Sequence, residues 1–144
     1  MREARIQHDL IMWFGQNYPQ YRNLLFLVHN ETMSKQQGTK LKSMGLIAGV
    51  SDLIFINPKG GKSAGIELKA PKSTHKKTHI QQQLFWGADL INAGSNYLMT
   101  SNLLHAKKFI VALLQNDIDS VEFIQNESIK FVEKQFHKKT IAFF

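Results

Sequence analysis

Three side chains in this sequence have the types and spacing for phosphodiester chemistry: Asp52, Glu67 and Lys69. Asp52 opens the apolar run Asp52-Leu53-Ile54-Phe55-Ile56, which reads as a strand. Asn57-Pro58-Lys59-Gly60-Gly61-Lys62 follows as a strong turn signal, and Ala64 to Leu68 resumes as a second strand. Side chains alternate faces along a strand, so Glu67 and Lys69 point the same way. An antiparallel hairpin sets the start of its first strand beside the end of its second, which brings Asp52 to Glu67. Two carboxylates and an ammonium then converge at one end of a small sheet. Carboxylate oxygens are hard ligands suited to Mg²⁺ or Mn²⁺. A divalent ion there would polarise a phosphoryl oxygen and acidify a water, with Lys69 beside it to orient that water or offset developing charge. A Glu and a Lys two apart on a strand are most often a solvated face. Here Glu67 stands between Ile66 and Leu68 in a run that reads as interior, and Pro71 breaks the chain soon after.

The elements that must position these groups follow from hydrophobic periodicity. Ile6, Leu10, Trp13 and Phe14 share one face of a helix over 3–16, ended by Gly15, Asn17 and Pro19. Leu24 to Val28 reads as a short buried strand, and 30–45 as a short helix or an ordered loop. A helix over 79–93 carries Leu84, Ala88 and Ile91 on one face, with Trp86 and Leu90 beside it and Gly94 as its cap. Tyr97 to Met99 is a strand, 102–115 a helix, Val121 to Ile124 a strand-like segment and 126–137 a last helix. Trp13, Phe14, Phe26, Phe85 and Phe109 read as core, and Trp86 as core or interface. The order gives a mixed α/β or α+β domain over residues 1–144, with no repeat and no dividing linker.

The chain has 144 residues with 18 Lys+Arg, 11 Asp+Glu and no cysteine, for a net charge of +7. One domain is expected at this length. The missing cysteines exclude disulfides, thiolate metal sites and thiol nucleophiles. A 43% hydrophobic and 20% charged composition excludes disorder of the whole chain. No apolar run approaches the ~18 residues of a membrane span, and no signal peptide opens the chain. An intracellular, cytoplasmic protein without a membrane partner is expected. The positive excess favours a polyanionic partner, nucleic acid foremost.

The linked segments resemble the PD-(D/E)xK nuclease superfamily, and within it the VRR-NUC group, whose members include short stand-alone proteins resembling Holliday-junction resolvases. The resemblance covers about residues 3–100. It is carried by Glu3-x-x-Ile6-Gln7, His29-Asn30-Glu31, Leu41-Lys42-x-Met44-Gly45-Leu46-Ile47-Ala48-Gly49-Val50-Ser51-Asp52, Gly65-Ile66-Glu67-Leu68-Lys69 and Gln83-Leu84-Phe85-Trp86 with Leu90 and Gly94. One departure is visible: Ser51 stands where the pattern usually has Pro. The resemblance implies a restriction-endonuclease-like core, a mixed sheet flanked by helices. It implies Asp52, Glu67 and the Leu68 carbonyl as metal ligands, Lys69 as the catalytic lysine, and Glu3 approaching the metal directly or through water. Gln83 would support the site by hydrogen bonding, with Gln81 and Gln82 as register neighbours and Gln7 a weaker match.

Lys69, Lys72, Lys76 and Lys77 cluster between the site and the next helix, and Lys35, Lys40 and Lys42 precede it. Beside a phosphodiesterase site they read as contacts to the nucleic-acid backbone; alone they would be solvated loops. His29 and Asn30 suit either a scissile phosphate or a strand-end hydrogen bond. His75 and His79 have the spacing of a zinc helix, but no Glu follows His75, and a solvated loop or DNA contact fits them better. Gly61-Lys62-Ser63 mimics a P-loop, but Ile56 occupies the position of its first glycine and no helix follows. The apolar end Thr140 to Phe144 suits docking on the body or on a second subunit.

The expected function is that of a metal-dependent DNA endonuclease, selective for branched or junction-like DNA, using Mg²⁺ or Mn²⁺ and working as a homodimer. No base-reading motif appears, so recognition is expected from shape and backbone. A compact stand-alone nuclease would suit a phage or mobile element. The alternatives are a nuclease-fold module that binds nucleic acid without cutting it, and a protein-interaction or inhibitory domain.

Overall fold

The structure is a computed structural model, and it describes residues 2–28, 34–69 and 77–136. Helix α1 (Arg2–Asn17) buries Leu10 and Phe14 completely, with Ile6 and Trp13 half-buried on the same stripe. A 3₁₀ turn (Pro19–Leu24) leads into β1 (Leu25–Leu27). Next come α2 (Lys35–Ser43), β2 (Leu53–Phe55), β3 (Ala64–Leu68), α3 (Lys77–Asn92), β4 (Asn96–Thr100), α4 (Leu103–Leu114) and α5 (Ile118–Phe136).

The four strands form one mixed sheet in the order β1-β2-β3-β4. β1 and β2 are antiparallel, as are β2 and β3 with Leu53 opposite Ile66. β3 and β4 are parallel, with Gly65 opposite Tyr97 and Leu68 opposite Thr100. The parallel pair requires a crossover, which α3 supplies. The expected hairpin between β2 and β3 is present. Its turn is tied down by Asn57, whose side chain accepts from the Lys59 N–H at 3.0 Å and donates to the Leu113 carbonyl at 3.0 Å.

The two sheet faces bury different cores. Ala64, Ile66, Leu68 and Leu98 point toward α1, α4 and α5, where they meet Leu10, Phe14, Phe109 and Ile110. Tyr97 and Met99 point the other way, onto Ile80 and Leu84 of α3. By strand alternation Gly65 and Glu67 share this second face.

Three expectations are corrected. Val121 to Ile124 is helical, inside α5: Val121, Gln125, Ser128 and Ile129 recur at helical spacing and are all buried. Asp117 caps that helix, accepting from the Ser120 N–H at 3.2 Å. A four-residue apolar window showed strand propensity but not this longer period. The Leu24–Val28 run is an edge strand in which only Leu25 is buried; Phe26 and Leu27 are exposed. Phe85 likewise lies on the exposed side of α3, while Phe14 and Phe109 are core as expected.

The other edge, β4, is closed by a side chain. The Tyr97 N–H donates to Gln125 Oε1 of α5 at 3.0 Å, satisfying a buried donor that would otherwise be an exposed edge. α3 sits so close to the sheet that a Cβ on Gly87 would lie 2.5 and 2.7 Å from Tyr97 ring atoms. Alanine is favoured over glycine inside a helix by about 1 kcal/mol, but overpacking a rigid aromatic costs about 1–3 kcal/mol. The clash wins, and Gly87→Ala is expected to lower the urea midpoint with the m-value unchanged.

Candidate active site

The register places Asp52 one residue beyond the Leu53–Ile66 pair, hence opposite Glu67. Its backbone is held from both sides: the Asp52 carbonyl accepts from the Val28 N–H at 2.7 Å, and the Asp52 N–H donates to the Glu67 carboxylate. The two carboxyl groups also share a side-chain hydrogen bond. Lys69, two residues on and on the same face, places Nζ 3.7 Å from Glu67 Oε2. Glu67 is 2% exposed and Lys69 4% exposed, so both charged groups are withdrawn from water at the end of β3. The sheet thus brings Asp52, Glu67 and Lys69 together.

The loop before Asp52 is fastened to α3 at Gly49, whose φ is +88°. A Cβ there would lie 2.5 Å from the Gln82 carbonyl oxygen and 3.1 Å from the Gln83 nitrogen, so only glycine allows this approach. The contact fixes the Gln82–Gln83 backbone of α3 against the loop that leads to Asp52. Gln83 is buried, its Nε2 lies 3.4 Å from His79 Nε2, and its Oε1 has no hydrogen-bond partner. Ser51 is also fully buried and its hydroxyl donates to the Leu53 carbonyl at 2.9 Å. In place of the usual Pro it stiffens the entry to β2 with a hydrogen bond.

Burial chiefly, and the neighbouring Asp52 charge next, push the Glu67 carboxyl from 4.5 up to about 8, against the opposing pull of Lys69. Between pH 4.5 and about 8 the folded state keeps a proton that the unfolded chain has released. Metal-free protein is therefore expected to lose stability as pH rises through this window, by up to about 1.4 kcal/mol per pH unit. Thermal melts from pH 5 to 8 check this: the decline should flatten in Glu67→Gln.

Glu67 Oε1 is buried without a partner, as is Gln83 Oε1. An unsatisfied carboxylate oxygen beside a second carboxylate suits a hard cation, which would replace the shared proton. The donor set therefore fits Mg²⁺ or Mn²⁺. Among the described residues no group of three or more His, Cys, Asp or Glu side chains gathers at a metal-binding distance. Glu3, half-buried in the first turn of α1, thus does not complete a three-carboxylate cluster with Asp52 and Glu67. Leu68, between Glu67 and Lys69 in the chain, sends its side chain into the main core.

The lysines divide. Lys35, Lys40 and Lys42 lie exposed on α2, just before the loop that carries Asp52. Lys77 begins α3. His29, Asn30, Lys72, Lys76 and His75, like the tail 140–144, lie outside the described residues. Sequence reasoning missed Tyr97, which is fully buried on the carboxylate face. A polar-tipped aromatic in the strand Asn96-Tyr97-Leu98-Met99-Thr100 was its one available signal.

A solved structure described as a VRR_NUC domain protein matches with a TM-score of 0.55 at 17% identity, over 85% of this chain and 89% of that one. The chain has the VRR-NUC fold. That fold is an α/β arrangement with a mixed four-stranded sheet flanked by helices, as expected from the sequence. The VRR-NUC likeness also reaches beyond the 3–100 segment on which the sequence resemblance rests. No family model matches the chain, and no curated protein matches it in sequence. Among the described residues no helix is long and apolar enough to cross a membrane.

Proposed function

We propose that residues 1–144 form one nuclease domain that hydrolyses DNA phosphodiester bonds with the help of Mg²⁺ or Mn²⁺. The observation that carries this reading is the meeting of Asp52 and Glu67, distant in sequence, as a hydrogen-bonded carboxylate pair with the Lys69 ammonium beside them. Asp52, Glu67 and the Leu68 carbonyl would hold the cation. When bound, it supplies Lewis acidity toward a phosphoryl oxygen and lowers the pKa of water. Lys69, fixed by burial, presents a positive charge where the phosphate gains negative charge, a contribution that a low-dielectric site enlarges. Gln83, buried on α3 with an unpartnered Oε1, would support the site by hydrogen bonding. The exposed lysines of α2 grip the DNA backbone, and with a net charge of +7 the binding weakens steeply with salt.

The lack of a base-reading element favours recognition of DNA shape, hence a branched or junction-like substrate. A homodimer would set two such sites for paired cuts. The test is cleavage of end-labelled junction, flap, nicked and linear DNA with Mg²⁺, with Mn²⁺ and with EDTA. Cleavage that needs the divalent ion and favours the branched substrates is expected. Cleavage in EDTA would overturn the metal dependence, and equal cutting of all substrates the selectivity. Tight DNA binding without cleavage under every condition would instead establish a binding module.

A further inference from the structure

Tyr97 lies on β4 opposite Gly65, and Glu67 is two residues along β3 on the same face. Over Gly65 the Ser51 hydroxyl and the Trp86 ring close in, and a Cβ there would lie 2.7 Å from Ser51 Oγ and 2.8 Å from Trp86 Cζ3. The Tyr97 ring is clamped by α3: Gly87 lies directly against it, and Trp86 meets it edge-on at 6.0 Å between centroids. Gln83 is one turn before Gly87, above the Glu67 end of the strand. Tyr97, Glu67 and Gln83 therefore occupy one layer between sheet and helix.

Within this layer three buried polar atoms lack a hydrogen-bond partner: Tyr97 Oη, Glu67 Oε1 and Gln83 Oε1. An unmade hydrogen bond at such depth costs about 1–3 kcal/mol per group. The described fold has four such side-chain atoms, and three of them lie here. Of the three, the phenol is a donor, the Gln83 carbonyl oxygen accepts, and Glu67 accepts once it is ionised. Burial first, then the charges of Glu67 and Asp52, push the Tyr97 phenol far above its ordinary pKa, so it keeps its proton.

We infer that Tyr97 is a positioning residue for the metal site: when Asp52 and Glu67 hold a cation, the Tyr97 hydroxyl, which has no partner here, donates to the equally unpartnered Glu67 Oε1 and leaves the other carboxylate oxygen to the cation. The inference rests on the proposed cation site. A phenol donor also stabilises the ionised carboxylate that a cation needs, by a charge-assisted bond about twice as strong as a neutral one. Partners of this kind alter metal affinity by roughly 10–100-fold when removed.

The experiment compares Mn²⁺ binding to wild type and Tyr97→Phe by calorimetry and by thermal shift, without DNA. Tyr97→Phe keeps the ring against Gly87 and deletes an unpaired hydroxyl, so its metal-free melting temperature should match or exceed that of wild type. Its Mn²⁺ dissociation constant should rise by about 10-fold or more. An unchanged constant overturns the inference. Failure of wild type to bind Mn²⁺ overturns the cation site itself, and the inference with it. Should the variant not fold, a crystal structure of the Mn²⁺-bound wild type decides. An Oη to Oε1 separation of roughly 2.5–3.0 Å supports the inference; a longer one with another donor on Oε1 refutes it.

Discussion

Glu67→Gln is expected to lose cleavage by at least about 10³-fold, as removal of one member of a cooperating catalytic set does, and to melt higher than the metal-free parent at pH 8. Both effects have one origin. Glu67 is 2% exposed and faces Asp52, so its negative charge is costly until a cation arrives. Glutamine keeps the shape and removes the charge. It can still donate to Asp52, but it offers a cation only a neutral oxygen. At pH 8 the carboxyl is close to half ionised, since burial and Asp52 push it up to about 8. The stabilisation should therefore grow as pH rises above 5, and vanish near pH 5, where folded Glu67 is protonated. Each kcal/mol corresponds to roughly 2–8 °C in a domain of this size. Melting curves at pH 5 and pH 8, read beside cleavage rates in Mg²⁺, check both halves. A variant that loses activity and stability together at pH 8 would mean Glu67 is a structural residue.

Lys69→Met is expected to lower the cleavage rate by about 10²–10³-fold, the scale for removing one charge-stabilising group from a sheltered site. Methionine retains the buried stem, so the packing at the end of β3 survives. The lost ammonium lies 3.7 Å from Glu67 Oε2 and pulls that carboxyl down. Without it, Glu67 should hold its proton to higher pH, and the metal-free stability decline should extend to higher pH as well. Lys69→Arg separates charge from geometry. The wide planar guanidinium carries the charge but does not fit a space 4% exposed, so it should restore the pH profile more than the rate. Cleavage rates and melting profiles of the two variants, measured side by side, make the comparison.

Much of the site was legible because it is local in a precise sense. Asp52, the Asn57-to-Lys62 turn and Glu67-Leu68-Lys69 form one hairpin, and alternation along two strands is enough to bring the three groups together. The helix faces of α1 and α3 were legible for a similar reason, since Leu10 and Phe14, or Leu84 and Ala88, recur at the helical period. What escaped depends on distant neighbours. The burial of Glu67 and Lys69 comes from α3 folding back over the sheet, which no window of sequence contains. Tyr97 gains its meaning from Gly87, which reads as an ordinary glycine until the ring appears against it. Val121 to Ile124 looked like a strand because four residues cannot distinguish a buried helix turn from one, and Gln125 on that helix closes β4 through a bond spanning 28 positions. Phe26 and Phe85 read as core by residue type, but a two-layered face has a limited area and both fall outside it.

The central claim is that Asp52 and Glu67 together cage one divalent cation. Isothermal titration of Mn²⁺ into metal-free wild type, Asp52→Asn and Glu67→Gln addresses it without any DNA. Wild type should bind with a stoichiometry near one, releasing protons at pH 7 as the cation displaces the proton held by the pair, and each variant should lose that binding. Equal Mn²⁺ affinity in all three proteins would contradict the account.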